Sequence, residues 1–331
     1  MDVYRKCLRF GLLAIVMALL TRLGAAGVEP LSRGLADPDF QSLLIYLETG
    51  RKVRFSPYNG EKSQFDGESA PPFLTVDKPC FSAADADAIK LSAPGALRPD
   101  LGRLVEMPLT WDLLGGEPKV LIIHTHATES YTASGEGYAE TAAFRTLDPG
   151  YNMLSIGTRL AQALEAGGIG VIHDRTLHDY PSYNGSYAHA RKSIRGILEE
   201  YPTIELVLDL HRDASGDLNN QIRPLVSVQG RSTAQLMLVV GTDAGGQSHP
   251  KWQENLALAG KLQLVLEAQA PGITRPIDLR LSRFNQDLST GALLIAVGAA
   301  GNTHPEALAA ADILAQAILA MAKGTQNMGQ G

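Results

Sequence analysis

The residues of this chain best suited to chemistry lie in two polar groups, each at the end of an apolar run. Residues 119–131 read KVLIIHTHATESY, so Val120 to Ile123 lead straight into His124, His126, Glu129, Ser130 and Tyr131. Residues 204–213, IELVLDLHRD, repeat the layout and deliver His211, Arg212 and Asp213. Imidazole and carboxylate are donors that zinc accepts, and a hydrolytic zinc site needs three protein ligands and one open position. A single histidine beside a strand is ordinarily a hydrogen-bonding residue. Two strand ends of matching polarity favour a shared cation, with His126, Glu129 and His211 as the candidate ligands. His124, two places before His126, faces the same way on a strand and is read as a residue that orients a ligand. Asp148 is the runner-up oxygen donor, although its place before Pro149-Gly150 suits a turn. His173, His178, His189, His249 and His304 are read as surface or structural. The planar fork of Arg212 suits a carboxylate of the substrate; pairing with Asp213 is the alternative.

Such groups act together only if a sheet brings their strands side by side. From about Leu104 apolar runs at 119–124, 169–173, 205–211, 235–241, 275–280 and 292–297 alternate with helical patterns at 152–167, 185–200, 252–268 and 304–322. This is the texture of an α/β domain, a mostly parallel central sheet with helices on both faces, whose sites lie beyond the carboxyl ends of strands. Gly167-Gly168 suits the C-cap of the first of these helices. The loops 130–152, 173–187 and 283–291 emerge near one edge if the sheet is parallel.

The remainder bounds the class. A chain of 331 residues, 45% hydrophobic, buries a substantial core. Its net charge of -6 offers no basic footprint for nucleic acid, and that class is set aside. Arg5, Lys6 and Arg9 precede an apolar run from Phe10 to Leu20 and the small residues LGAAG, the layout of an export signal or an uncleaved anchor. The expected organisation is a signal or anchor at 1–28, a smaller accessory region with linker at 29–103, a catalytic domain at 104–323 and a tail at 324–331. Within the accessory region Phe40, Leu43, Leu44 and Leu47 follow a helical period, and 58–72 reads as linker. The two cysteines, Cys7 and Cys80, make no disulfide framework.

HTHATESY at 124–131, YNGSY at 183–187, LDLHRDA at 208–214, VVGT at 239–242 and FNQDLSTGALLIAVGAAGNTHPEA at 284–307 closely resemble, in the same order, the stage II sporulation protein P family. The resemblance runs from about Val120 to Ala320. It implies the fold of the zinc-dependent N-acetylmuramoyl-L-alanine amidases and an exported, membrane-tethered or secreted hydrolase of peptidoglycan. Such a protein acts in spore engulfment, removing stem peptides and also cutting peptide cross-links. It implies Zn2+ as cofactor, with His126 and His211 matching the ligand histidines and Glu129 in the first motif. The implied partners are a sporulation lytic transglycosylase, stage II sporulation protein D, and a membrane protein, stage II sporulation protein M. Tyr131, Arg212, Asn285 and Gln286 are expected to line the cleft.

One position departs from the family. Where its last strand carries glutamate in a pattern like LLIEVG, this chain reads Leu293-Leu294-Ile295-Ala296-Val297-Gly298. In related amidases that carboxylate moves the proton between water and leaving amine, and general acid and base catalysis contributes about 10²–10⁴ in rate. Either the chain is slow or inactive, or Asp287 or Glu306 takes the role, or the chain is a variant. A non-catalytic peptidoglycan-binding or assembly protein is the competing expectation, and a metal-free α/β domain a third.

Overall fold

The computed structural model of the protein describes residues 81–95, 97–109, 111–132, 144–214, 216–217 and 220–326, within a unit spanning Pro72–Gly331. The expected export segment, the helical pattern around Leu43, the linker at 58–72, Cys7 and Cys80 lie outside the described residues. A short 3-10 turn, Ala83–Ala88, leads into β1 (Leu91–Ser92), α1 (Leu101–Glu106), β2 (Gly115–Ile123), α2 (Met153–Ala166), β3 (Ile169–His173) and α3 (Ser186–Glu200). There follow β4 (Leu206–Asp213), β5 (Gly216–Asp217), β6 (Asn220–Gln221), β7 (Leu225–Val228), β8 (Arg231–Ala234) and β9 (Leu236–Gly241). The chain continues with α4 (Trp252–Gln269), β10 (Ile277–Arg280), β11 (Ala292–Ala299) and α5 (His304–Gln326).

Seven strands form the central sheet in the order β1-β10-β9-β11-β4-β2-β3, and every pairing is parallel except β9 with β11. The strands are apolar on both sides because both sides are covered. Val120, Ile122, Leu208, Leu210, Leu238 and Ile295 pack into one core with Ile156 and Leu160 of α2, Leu262 of α4 and Leu314 of α5. Leu121, Ile123 and Val207 face the other way, onto Ala190 and Ile194 of α3. The α5 stretch His304–Ala322 is long and apolar enough to cross a membrane, but 72% of its apolar window is buried inside the protein. It acts here as a core helix. Local signals agree with these elements: the Asn152 side chain accepts the Leu154 N–H as the α2 N-cap, and Gly168, with φ 91°, follows the helix as its expected terminator.

The antiparallel pair is not written in the strand pattern. A parallel connection needs a crossover, usually a helix. Between β4 and β9 the chain instead makes the small antiparallel pairs β5–β6 and β7–β8, and it returns in the opposite direction. Loop 281–291, between β10 and β11, therefore begins at the edge away from His126 and His211, contrary to the expectation of a shared edge. It reaches their neighbourhood across the sheet face, where Phe284 packs against Met237, Val239, Leu294 and Ala296. The expected boundary at 104 also falls inside the fold, since β1 is the edge strand, paired with β10 through Leu91 and Ile277. A two-residue strand is too short to leave a period-2 signal.

Gly157 of α2 shows how tightly one face is packed. A Cβ there would lie 2.4 Å from His124 Nε2 and 2.6 Å from His173 Nε2. Gly157→Ala, which stabilises an ordinary helix position by about 1 kcal/mol, should here cost about 1–3 kcal/mol by overpacking. Urea unfolding measures it; an unchanged or raised midpoint would mean that the two imidazoles yield freely.

Candidate functional site

β2 ends at Ile123, and the next residues fold into a turn, with the Glu129 N–H donating to His126 O at 3.1 Å. Because β2 and β4 are parallel neighbours, with Ile123 opposite Asp209, this turn lands against the carboxyl end of β4. The His126 and His211 ring centroids come within 5.2 Å at 83°. Glu129 lies with them: its Oε2 is 3.5 Å from His211 Nδ1 and accepts the Arg212 backbone N–H at 3.1 Å. Arg145 and Arg212 approach its Oε1 at 3.6 and 3.7 Å. Burial alone would raise the Glu129 carboxyl; the His211 contact and the Arg212 charge overcome it and bring it down to about 2.

His211 sits between two carboxylates. Its Nε2 is 3.0 Å from Asp209 Oδ1, close but out of line for a hydrogen bond. Asp209 in turn accepts the Thr125 N–H and hydroxyl at 2.8 and 2.6 Å. Burial pushes the imidazole down, but the charges of Asp209 and Glu129 carry it up to about 10, so without a cation it is an imidazolium. His126 is held from above. The Tyr183 ring, 55% exposed, stacks on it at 4.5 Å and 12°, with the Arg145 guanidinium 4.8 Å over the Tyr183 centroid. Tyr187 meets the edge of His126 at 5.5 Å and lies parallel to His211 at 6.4 Å.

Other expected site residues are placed elsewhere. Tyr131 is fully buried and donates its hydroxyl to Val297 O at 2.8 Å, so it belongs to the core rather than to a cleft. Arg212 is buried as well; it donates to Ser130 O and Phe144 O at 3.1 Å each and holds the loop against β4 instead of reading a substrate. Asp213 pairs with Arg275 at 2.7 Å. Gln286 bridges to β9, accepting Gly241 N–H at 2.7 Å and donating to Val239 O at 2.8 Å. Asn285 lines an open cleft, with its Nδ2 donating to Tyr187 O at 2.8 Å. Asp148 accepts the Gly150 N–H at 2.9 Å as a turn residue. His124 does not follow His126: the strand has ended, alternation no longer applies, and its Nε2 meets His173 Nε2 at 2.8 Å beneath α2.

The sequence profile described as stage II sporulation protein P matches residues 61–319. The chain belongs to the stage II sporulation protein P family. Stage II sporulation protein P of Bacillus subtilis strain 168 is 29% identical over 219 residues, which are 61% of this chain and 51% of that protein. The chain thus spans about half the length of that relative. Among solved structures, the N-acetylmuramoyl-L-alanine amidase AmiC2 of Nostoc punctiforme is 17% identical with a TM-score of 0.35, over 66% of this chain and 99% of that one. The amidase Ami1 of Mycobacterium smegmatis is 13% identical with a TM-score of 0.37, over 63% and 99%. The CwlD amidase of Clostridioides difficile, in complex with the GerS lipoprotein, is 12% identical with a TM-score of 0.35, over 63% and 97%.

In this member of the family Ala296 is the direct partner of His211 across the β11–β4 pair, so both side chains project from the same face. Among the described residues no three His, Cys, Asp or Glu side chains converge closely enough to hold a metal as they stand. The donor types suit zinc nonetheless, and one observation favours it. His126 Nδ1 is buried without a hydrogen bond, and leaving such an atom unsatisfied costs about 1–3 kcal/mol, while His211 turns its Nδ1 toward Glu129 and its Nε2 toward Asp209. A cation would satisfy His126 Nδ1 and, meeting His211 on its Glu129 side, displace the proton there.

Sequence reasoning passed over Asp209, and it noted Tyr183 and Tyr187 only within the YNGSY motif, without a role in the site. Asp209 carried a signal, since it stands two residues before His211 on one strand and must share its face. The tyrosines carried the motif itself, but nothing in it pointed to stacking against His126.

The His124–His173 pair has a consequence for stability. Burial first, then the nearby His124 charge, hold His173 down to about 3, from an ordinary 6.5. As pH falls through 6.5 the unfolded chain takes up a proton that the folded chain refuses. The pair's contribution is therefore whole above pH 6.5 and drains away as pH drops toward about 3. The unfolding temperature should fall between pH 6.5 and 4, less steeply for His173→Gln; identical slopes would sink this account.

Proposed function

We propose that the chain is a peptidoglycan hydrolase of sporulation, built as an N-acetylmuramoyl-L-alanine amidase. His126, Glu129 and His211 are the residues that would hold Zn2+, which supplies Lewis acidity and lowers the pKa of water. The observation that carries this reading is the buried His126 Nδ1, which makes no hydrogen bond, on a ring 5.2 Å from that of His211 in a chain of this family. The protein's own residues do the rest. Asp209 orients His211, as a carboxylate behind a ligand histidine does. Tyr183 and Arg145 cover His126 and limit the approach of bulk solvent. Burial raises the Tyr187 phenol, which stays protonated and stands beside both imidazoles as a hydrogen-bond donor to substrate. The charged N-terminal run suits export, with the body facing the cell wall, where a lytic transglycosylase and a membrane protein are the proposed partners.

Ala296 supports a second reading, a wall-binding or assembly protein that keeps the groove without the reaction. Beside His211 this strand offers a methyl group where a carboxylate would accept a proton. Neither alternative carboxylate is at liberty. Asp287 is clamped by Arg191 at 2.6 Å, and Glu306 is engaged by Arg223 and by the Asn302 amide at 3.1 Å.

The test uses the full chain, purified cell walls and added zinc. Ala296→Glu should raise the release of muropeptides by about 10²–10⁴-fold, and His126→Ala should abolish both release and zinc retention. If Ala296→Glu retains zinc and the walls stay intact, the hydrolase reading fails. Wall binding that persists without product then favours the second reading.

A further inference from the structure

Between α3 and loop 281–291 lies an open cleft of about 390 Å³, lined by Tyr187, Arg191, Gln247, Arg283, Phe284 and Asn285. Its size is in the range of small-molecule and peptide subsites. Tyr187 belongs both to this cleft and to the histidine group, its ring centroid 5.5 and 6.4 Å from those of His126 and His211. One extended residue covers about 3.3–3.6 Å, so a group one or two residues from a bond cut at the histidines falls within reach of the cleft.

The charge of its wall is unbalanced. Arg191 grips Asp287 with both terminal nitrogens, Nη1 to Oδ1 at 2.8 Å and Nη2 to Oδ2 at 2.6 Å, and reaches Asn285 Oδ1 at 3.4 Å. Arg283 shares that one carboxylate only at 3.4 Å, through Nη1, and the same nitrogen donates to Ser248 O at 3.3 Å. Among the described residues its Nε and Nη2 make no hydrogen bond, and the side chain is 25% exposed. Two guanidiniums thus face one carboxylate, the first committed to it and the second with most of its fork to spare. The fork is also held in place at a cost. Phe284 and Asn285 both take positive φ, 49° and 60°, in the turn that follows Arg283 and closes with Gln286 N–H to Arg283 O at 2.9 Å. Phenylalanine rarely adopts that conformation, which persists where the surroundings impose it. The turn brings Phe284 to 5.7 Å from Tyr187, so the cleft has an aromatic wall beside its free guanidinium.

We infer that this cleft is the subsite for a free carboxylate of the stem peptide, with Arg283 as the carboxylate's partner, Arg191–Asp287 as the fixed strut beside it and Tyr187–Phe284 as the apolar wall. The inference rests on the peptidoglycan reading above and assigns to Arg283 the recognition that the buried Arg212 does not perform. A planar guanidinium with two adjacent donors pairs bidentately with a carboxylate and loses that fit with a carboxamide.

Binding, rather than turnover, is the measurement, so the outcome does not depend on whether Ala296 leaves an active enzyme. Isothermal titration of the full chain compares a muramoyl tripeptide bearing free carboxylates with its fully amidated counterpart, for the wild type, Arg283→Gln and Arg283→Lys. Amidation is expected to weaken wild-type binding about tenfold or more, corresponding to at least ~1.4 kcal/mol. It should change little in Arg283→Gln, with Arg283→Lys between the two. Unchanged unfolding temperatures show that the variants fold. Equal wild-type affinity for acid and amide overturns the inference, as does an amidation penalty that survives in Arg283→Gln. So does inorganic phosphate displacing the acid and amide forms equally well. If the acid binds through Arg283 while Ala296→Glu still cuts nothing, the subsite stands and the hydrolase reading alone fails.

Discussion

A buried carboxylate needs compensation, and the way Glu129 finds it ties the site together. Taking such a charge out of water costs several kcal/mol unless cations and hydrogen bonds surround it. Glu129 receives the Arg212 N–H, His211 and the approach of two guanidiniums. Those partners come from the end of β4 and from the chain around Arg145, so satisfying this one side chain draws the turn after β2, the end of β4 and the returning loop onto a single point. Arg212 illustrates the cost of that arrangement. Its position beside His211 suggested a substrate contact, but its guanidinium is spent on Ser130 O, Phe144 O and the Glu129 charge.

The same electrostatics fix what His211 is. With Asp209 behind it and Glu129 before it, the ring has two negative neighbours and a raised pKa of about 10. A proton and a divalent cation are alternative ways of meeting that field. Thr125 holds Asp209 by two hydrogen bonds, so the carboxylate behind the ring is itself immobilised. The open side of the group is aromatic: Tyr183 is exposed over His126, and Tyr187 passes from the imidazoles into the neighbouring cleft. A rigid polar centre thus lies beneath an aromatic approach.

The two halves of the sheet run in opposite directions, and this decides what surrounds the centre. β2, β3, β4 and β11 are parallel, and their carboxyl ends share one edge. β9, β10 and β1 run the other way. Loop 281–291 consequently crosses a sheet face to reach Tyr187 and brings Arg283 and Phe284 with it. Ala296, beneath that loop and opposite His211, lies where a longer polar side chain would meet the imidazole directly.

The chain's own pattern determined the α/β class, six sheet strands, four long helices and the approach of His126, Glu129 and His211, because apolar periodicity and polar strand ends are local properties. Ile169–His173 even begins and ends where the pattern places it. Asp209 was within reach of the same reasoning, through its two-residue spacing from His211. The reversal of β9 was not, since it depends on how the chain returns after β4, and neither was β1, whose edge position exists only through β10. The fates of Tyr131, Arg212 and Gln286 were also decided by tertiary structure. A phenol, a guanidinium or an amide is equally able to meet a substrate or a backbone carbonyl, and only the packing around it selects which partner it finds.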